Sequence, residues 1–138
     1  MPEFKFKGKL YYNPVEFVLD WIGGAWKMPI LWRLREKTLR YSEIKKTLSH
    51  ISDKMLAQSL RELEENGLVT RKVYAVVPPK TEYTLTELGK KTIPIIVSLR
   101  ELGITLMKTS GVYNEDTQVF PNLPVVKKVK KAKASTSR

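Results

Sequence analysis

The spacing of apolar positions changes character twice between residues 42 and 85. Within 53–66, Leu56, Leu60 and Leu63 recur at i, i+4 and i+7, which predicts a helix with one buried stripe. Lys54, Ala57, Gln58 and Arg61 fall on or near the opposite side, and Gly67 ends the helix where a left-handed residue costs least. Ahead of it, Ser42-Glu43-Ile44-Lys45-Lys46-Thr47-Leu48 predicts a short helix with Ser42 at its N-cap. Ser49-His50-Ile51-Ser52 is then a four-residue connector. Past Gly67 the period becomes two. Residues 68–74 are β-branched and aromatic, Pro78-Pro79 turns the chain and 81–85 returns, so a hairpin is expected with Lys80 at its tip and Arg71 and Lys72 on its strands.

The flanks carry their own periods. Phe4-Lys5-Phe6-Lys7 alternates, which predicts a short strand or an extended arm packed on the body or on a partner subunit. Asn13-Pro14 starts a helix, cap then proline, with Val15, Val18, Leu19 and Ile22 as its stripe and Gly23-Gly24 as its end. A second helix is expected from about Ala25, with Pro29 in or just after its first turn and Ile30, Leu31 and Leu34 in the core. Residues 38–41 read as a short extended segment. Thr86 is expected to cap one long final helix that contains Pro94 and bends there. Its apolar residues, among them Ile96, Leu99, Leu102 and Leu106, exceed one narrow stripe, so a partner is expected and a homodimer is the simplest one. Trp21, Trp26 and Trp32 suggest core or dimer-interface residues before a ligand box.

Composition narrows the partner. The chain has 138 residues, with 25 basic against 14 acidic and a formal charge of +11. Six of the basic residues lie after Asp116, where there is no acid, so 109–138 reads as a basic, disordered tail that anchors non-specifically to an anionic polymer. The remaining organisation is an arm at 1–12 and one domain at 13–108. There is no cysteine and a single histidine, His50, which excludes a disulfide framework, a thiol switch and a Cys/His zinc site. No nucleophile with a base and no Gly-rich phosphate loop is visible, so an enzyme is not expected, nor a cofactor. No apolar run approaches the length of a membrane span and no secretory h-region is present, which points to the cytoplasm.

The fold class expected is mainly α with a small β-hairpin: a winged helix-turn-helix with N- and C-terminal dimerisation helices. A helix with an apolar back and a small, amide and cationic front suits the major groove. Ser52 would cap that helix, at 52–66, and reach a phosphate. Lys54, Gln58 and Arg61 are candidates for base-edge or backbone contact. Tyr41, Ser42 and Lys45 would hold the backbone beside the short helix, and Arg71, Lys72 and Lys80 would set the wing, at 69–85, on phosphates. Glu62 and Glu65 speak against the far end of the helix lying on DNA. The expected function is sequence-specific binding of double-stranded DNA by a homodimeric transcriptional regulator. The alternative is a winged-helix RNA- or protein-binding adaptor. A small-molecule effector is not identified; a cavity among the first, second and last helices, lined by Trp21 or Trp26, would suit a small hydrophobic one.

Several segments, in order, resemble the successive signatures of HxlR-type regulators: Asn13-Pro14-Val15-Glu16, Ile22-Gly23-Gly24-Ala25-Trp26, Leu39-Arg40-Tyr41-Ser42-Glu43-Ile44, Ile51-Ser52-Asp53-Lys54-Met55-Leu56, 60–69 and 77–89. The similarity covers about 12–103. It implies a cytosolic homodimer of MarR-like architecture, with the helix after Ile51-Ser52 in the major groove and the first and last helices forming the dimer. Three positions depart from the family pattern. Asn13 stands where many members have a cysteine, Ala25 replaces a common lysine, and Leu102 precedes Gly103 where tryptophan is frequent. The thiol sensing of some members therefore does not carry over.

Overall fold

The computed structural model describes residues 3–113; the tail expected to act as an electrostatic anchor lies almost wholly outside them. In chain order the elements are β1 (Phe4–Phe6), β2 (Lys9–Tyr11), α1 (Pro14–Ile22), α2 (Lys27–Arg33), β3 (Leu39–Arg40) and α3 (Tyr41–Thr47). They continue with α4 (Asp53–Glu65), β4 (Val69–Tyr74), β5 (Lys80–Leu85), α5 (Glu87–Lys90) and α6 (Ile93–Thr109). No described helix is long and apolar enough to cross a membrane.

The alternating N-terminus forms a hairpin. Phe4 pairs with Tyr11 and Phe6 with Lys9, leaving Lys7 and Gly8 as a two-residue loop with φ of 50° and 81°. Two consecutive left-handed residues match the twist of the flanking strands, and glycine at the second makes this cheap. The hairpin folds onto its own body. The Phe4, Phe6 and Tyr11 rings each lie about 5 Å from Phe17 of α1, at 5.4, 5.3 and 4.9 Å, all edge-on. Asp20 fastens the edge, accepting from Lys9 Nζ at 2.7 Å and Tyr11 Oη at 2.6 Å.

That fastening sets a pH window. The Asp20 carboxyl is held below its ordinary value by the hydrogen bond from Lys9 and then by that from Tyr11. The same bond to Asp20 is the main cause of the raised pKa of both Lys9 and Tyr11. A lowered acid stabilises the docked arm above its unfolded pKa and releases it as pH falls through the folded one. The raised base holds until pH climbs through its own folded value. Arm docking should therefore be flat from about pH 4 to about pH 10 and loosen outside that range. Trp21, whose ring is 6.4 Å from that of Phe6, is the reporter. A Trp21 emission change centred near neutrality would contradict it.

α1 starts as its sequence dictates: Asn13 Oδ1 accepts from Glu16 N at 2.8 Å and Pro14 occupies the first turn. Of its stripe only Ile22 is buried, and Val15, Val18 and Leu19 face outward. α2 supplies Ile30 and Leu31 and its C-cap residue Leu34, all buried. Around them close Ile44 of α3, Leu56, Leu60 and Leu63 of α4, Val69 of β4 and Ile96 of α6. Each such side chain removed from water contributes about 1.5–3 kcal/mol, so this cluster fixes how the helices sit.

Four sequence expectations change. The ribbon has three strands in the order β3-β5-β4, because Leu39 and Arg40 pair with Tyr83 and Glu82. Ser42 does not cap α3. The strand runs straight into the helix, Arg40 is the N-cap residue, and Glu43 Oε1 accepts the Arg40 N–H at 2.8 Å. Lys80 is not at the hairpin tip but opens β5, opposite Tyr74. Thr86 caps only the short α5, accepting from Gly89 N at 2.9 Å, and the chain breaks at Lys91 and Thr92 before α6. Pro94 is then the second residue of α6 rather than a kink within a helix. A proline without an N–H fits the first turn, where that hydrogen would have no partner.

Candidate nucleic-acid interface

α4 is held by its back and free at its front. Leu56, Ser59, Leu60 and Leu63 are buried, while Lys54, Gln58 and Arg61, at i, i+4 and i+7, are exposed along one line about 10 Å long. Its start is capped by Ser52, whose Oγ accepts from Met55 N at 3.1 Å. Its end is closed by Gly67 at φ 76° and by Leu68 N donating to Leu63 O at 2.9 Å. Lys54 and Arg61 make no hydrogen bond or ion pair with any described residue.

Gln58 is less free. Its Nε2 donates to Glu62 Oε2 at 3.1 Å, and Glu62 Oε1 receives Lys27 Nζ from α2 at 2.8 Å. Lys27 first, then Gln58, holds the Glu62 carboxyl below its ordinary value. The carboxylate that seemed to repel DNA is thus turned toward α2 with its charge matched, and Glu65 is left exposed at the helix end. Lys27 was not a sequence candidate. Its contact depends on how two helices approach, and no local spacing signals it.

Tyr41 and Lys45 are occupied with the helix-turn-helix itself. Tyr41 Oη donates to Asp53 O at 3.3 Å and to Asp53 Oδ1 at 3.4 Å, and burial and then Asp53 raise its pKa. Lys45 Nζ donates to Ile51 O at 2.9 Å and lies 3.6 Å from Asp53 Oδ1. Together they lash α3 to the connector and to the first residue of α4, fixing the angle between the two helices. Ser42 is exposed in the first turn of α3. His50 in the connector packs edge-on against Trp26, with ring centroids 5.0 Å apart.

The wing has two unlike faces. Lys72, Tyr74, Lys80 and Glu82 share one, since Lys72 pairs with Glu82 and Tyr74 with Lys80. Both ammonium groups lie over the Tyr74 ring, at 5.0 and 4.6 Å, and Tyr74 Oη donates to Glu82 at 2.9 Å. Arg40, opposite Glu82 on β3, extends this face and is a further exposed cation. Arg71 lies on the other face, opposite Tyr83, whose hydroxyl is pushed up by burial and drawn back by Arg71. The three wing cations named from sequence therefore do not share a surface.

Comparison with known proteins gives consistent findings. A family model described as HxlR-like helix-turn-helix matches residues 21–110. An HTH-type transcriptional regulator of Methanothermobacter thermautotrophicus is 47% identical over 93 residues, 67% of this chain and 71% of that protein. Among solved structures, the redox regulator HypR in its oxidized form is 44% identical with a TM-score of 0.63, covering 66% of this chain and 94% of that one. A MarR-family transcriptional regulator from Porphyromonas gingivalis W83 is 38% identical with a TM-score of 0.63, covering 65% and 88%.

Proposed function

The chain belongs to the HxlR-like helix-turn-helix family, whose curated relatives are transcriptional regulators, and we propose that it binds double-stranded DNA sequence-specifically as a homodimer. The observation that carries this reading is the exposed line Lys54, Gln58, Arg61 on a helix whose other side is locked into the core. A helix so presented enters a major groove with cationic and amide groups foremost. Arginine there reads guanine and glutamine reads adenine. Ser52 and the first amides of α4 meet phosphate, as do Ser42 and the Lys72–Lys80 face of the wing with Arg40. Tyr41 and Lys45 set the angle of α4 first and touch the backbone only from that braced position. Arg71 belongs to the opposite wing face and contributes least of the cations.

The partner subunit is a second copy, joined through α1 and α6, so that two α4 helices meet half-sites about one helical turn apart. A binding site recovered from a random duplex pool should accordingly be a spaced inverted repeat. On that site Arg61→Ala should weaken binding by about 1–3 kcal/mol and relax the preference at one base pair in each half. A gel-shift titration in which Arg61→Ala keeps both affinity and preference would remove Arg61 as a reader. Selection of single-stranded or A-form RNA over duplex DNA would sink the whole reading.

A further inference from the structure

We propose that Lys27 of α2 is a positioning residue for base recognition: through Glu62 it holds the Gln58 amide with its nitrogen inward, so that Gln58 selects adenine or cytosine on one strand. The inference rests on the DNA-binding reading and deepens it.

Gln58 stands at the centre of the exposed line of α4, with Lys54 one turn before it and Arg61 one turn after. Its Nε2 donates to Glu62 Oε2 at 3.1 Å, and Lys27 Nζ meets the other oxygen of the same carboxylate, Oε1, at 2.8 Å. Lys27 is the first residue of α2, and its side chain is only 15% exposed. Its charge is therefore used inside the protein, on one carboxylate, rather than offered to a phosphate. The hydrogen bond from Lys27, then that from Gln58, holds the Glu62 carboxyl below its ordinary value, so it stays an acceptor. An exposed i, i+4 pair within one helix restrains a long side chain only weakly. Lys27 comes from a second helix, whose place is set by Ile30 and Leu31 in the core, and its bond is charge-assisted. The carboxylate is thus anchored from outside α4.

An ionised carboxylate only accepts, so it can face the amino end of an amide and not the carbonyl end. A free glutamine can turn its amide over and offer either end to a base; one tied to Glu62 cannot. What remains for the groove is Oε1, with one N–H beside it. In the major groove adenine N6 and cytosine N4 donate, whereas guanine O6 and thymine O4 accept. Every base pair carries one group of each kind, so a fixed acceptor senses which strand bears the amine. Holding the side chain before binding also lowers the entropy lost at contact.

The test is selection of bound sites from a random duplex pool by the full chain, followed by competition gel shifts on the recovered site. Gln58→Ala marks, in each half-site, the base pair whose preference Gln58 carries. There the parent chain should favour A or C over G or T on one strand by at least about fivefold, the lower end for one good base contact. Lys27→Met should bring that ratio below about twofold, as a freed amide accepts either edge, and leave the preference at other pairs unchanged. Lys27→Arg, which keeps a cationic donor near Glu62, should retain the ratio. Glu62→Ala cuts the same chain at its middle and should flatten the same position, which covers the case in which Lys27→Met does not fold. A Lys27→Met chain that loses affinity evenly but keeps the ratio would overturn the proposal, as would a marked position that prefers G or T, or a Gln58→Ala chain that marks none. Where Lys27→Met does not fold, a ratio retained by Glu62→Ala overturns it. A parent chain without any duplex preference fails the DNA-binding reading itself, and takes the proposal with it before a variant is made.

Discussion

Alanine at Gly89 is expected to lower Tm by more than 10 °C, although it adds a single methyl group. Gly89 is buried in α5, and a Cβ built on it would overlap the Leu68 carbonyl oxygen and lie 3.2 Å from Leu85 Cδ2. The obstructing atom is backbone, and that backbone is tied at several points. Leu68 O accepts from Thr86 N at 3.1 Å, Gly67 O accepts from Thr86 Oγ1 at 2.7 Å, and Leu68 N is bound to Leu63 O at the end of α4. To admit the methyl, either α5 leaves the sheet or the joint between α4 and β4 opens. Overpacking typically costs about 1–3 kcal/mol, and a backbone neighbour puts this case at the upper end. In a domain of roughly this size each kcal/mol shifts Tm by about 4–8 °C. Gly103→Ala is the matched control. It meets nothing within 4 Å inside α6 and should be neutral or stabilising by up to about 1 kcal/mol, from helix propensity. Circular dichroism melts of the two variants decide the matter. A Gly89→Ala melt within 3 °C of the parent would show that the joint yields.

The contrast between these glycines shows where sequence is informative. Gly67 was legible because helix termination is local: a periodic leucine stripe ends and a left-handed residue follows. Gly89 carries no such mark, since its constraint comes from Leu68, far behind it in the chain but adjacent in space. The same division runs through the fold. The stripe of α4, the Ser52 cap and the Asn13-Pro14 start are set within a few residues, and each appears where the pattern placed it. β3 is two residues long, too short to show a period, and exists only through its pairing with β5. The sequence pattern places Pro94 as a bend inside one long helix, whereas the chain breaks after the short α5, which packs on the sheet, and restarts with Pro94 in the first turn of α6. In the candidate interface, exposure of Lys54, Gln58 and Arg61 follows from leucine spacing alone. The chain from Lys27 through Glu62 to Gln58, and the use of Lys45 as a brace, depend on where long side chains reach after the helices have packed. Sequence names cations; packing decides which are spent internally.

The largest effect on DNA binding is expected from a change that touches no DNA. Glutamate at both Leu102 and Leu106 should convert the proposed dimer into a monomer and reduce affinity for a two-half-site duplex by at least about 100-fold. α6 buries Ile96 inward and leaves Ile95, Leu99, Leu102 and Leu106 exposed on its outer side. Their spacing of four, three and four is that of a coiled-coil seam, which needs a facing helix to fill it. Val15, Val18 and Leu19 of α1 are exposed as well, so two helices in one chain present unmatched apolar rows. A second copy, the proposed partner, would cover both rows and fix two α4 helices in one rigid frame. The second half-site is then bound at the effective concentration of a tethered module, which multiplies affinity by about 10²–10⁴ without a new contact. Two carboxylates in the seam, meeting their symmetry mates, replace apolar burial with like-charge repulsion. The core of each subunit should survive, because both leucines point away from it. Light scattering should therefore show a monomer with unchanged helical content and a Tm that no longer rises with protein concentration. Single-half-site duplex should bind the variant and the parent chain about equally. If the double variant stays dimeric, or turns monomeric yet keeps its hold on the paired site, the seam is not what joins the two reading helices.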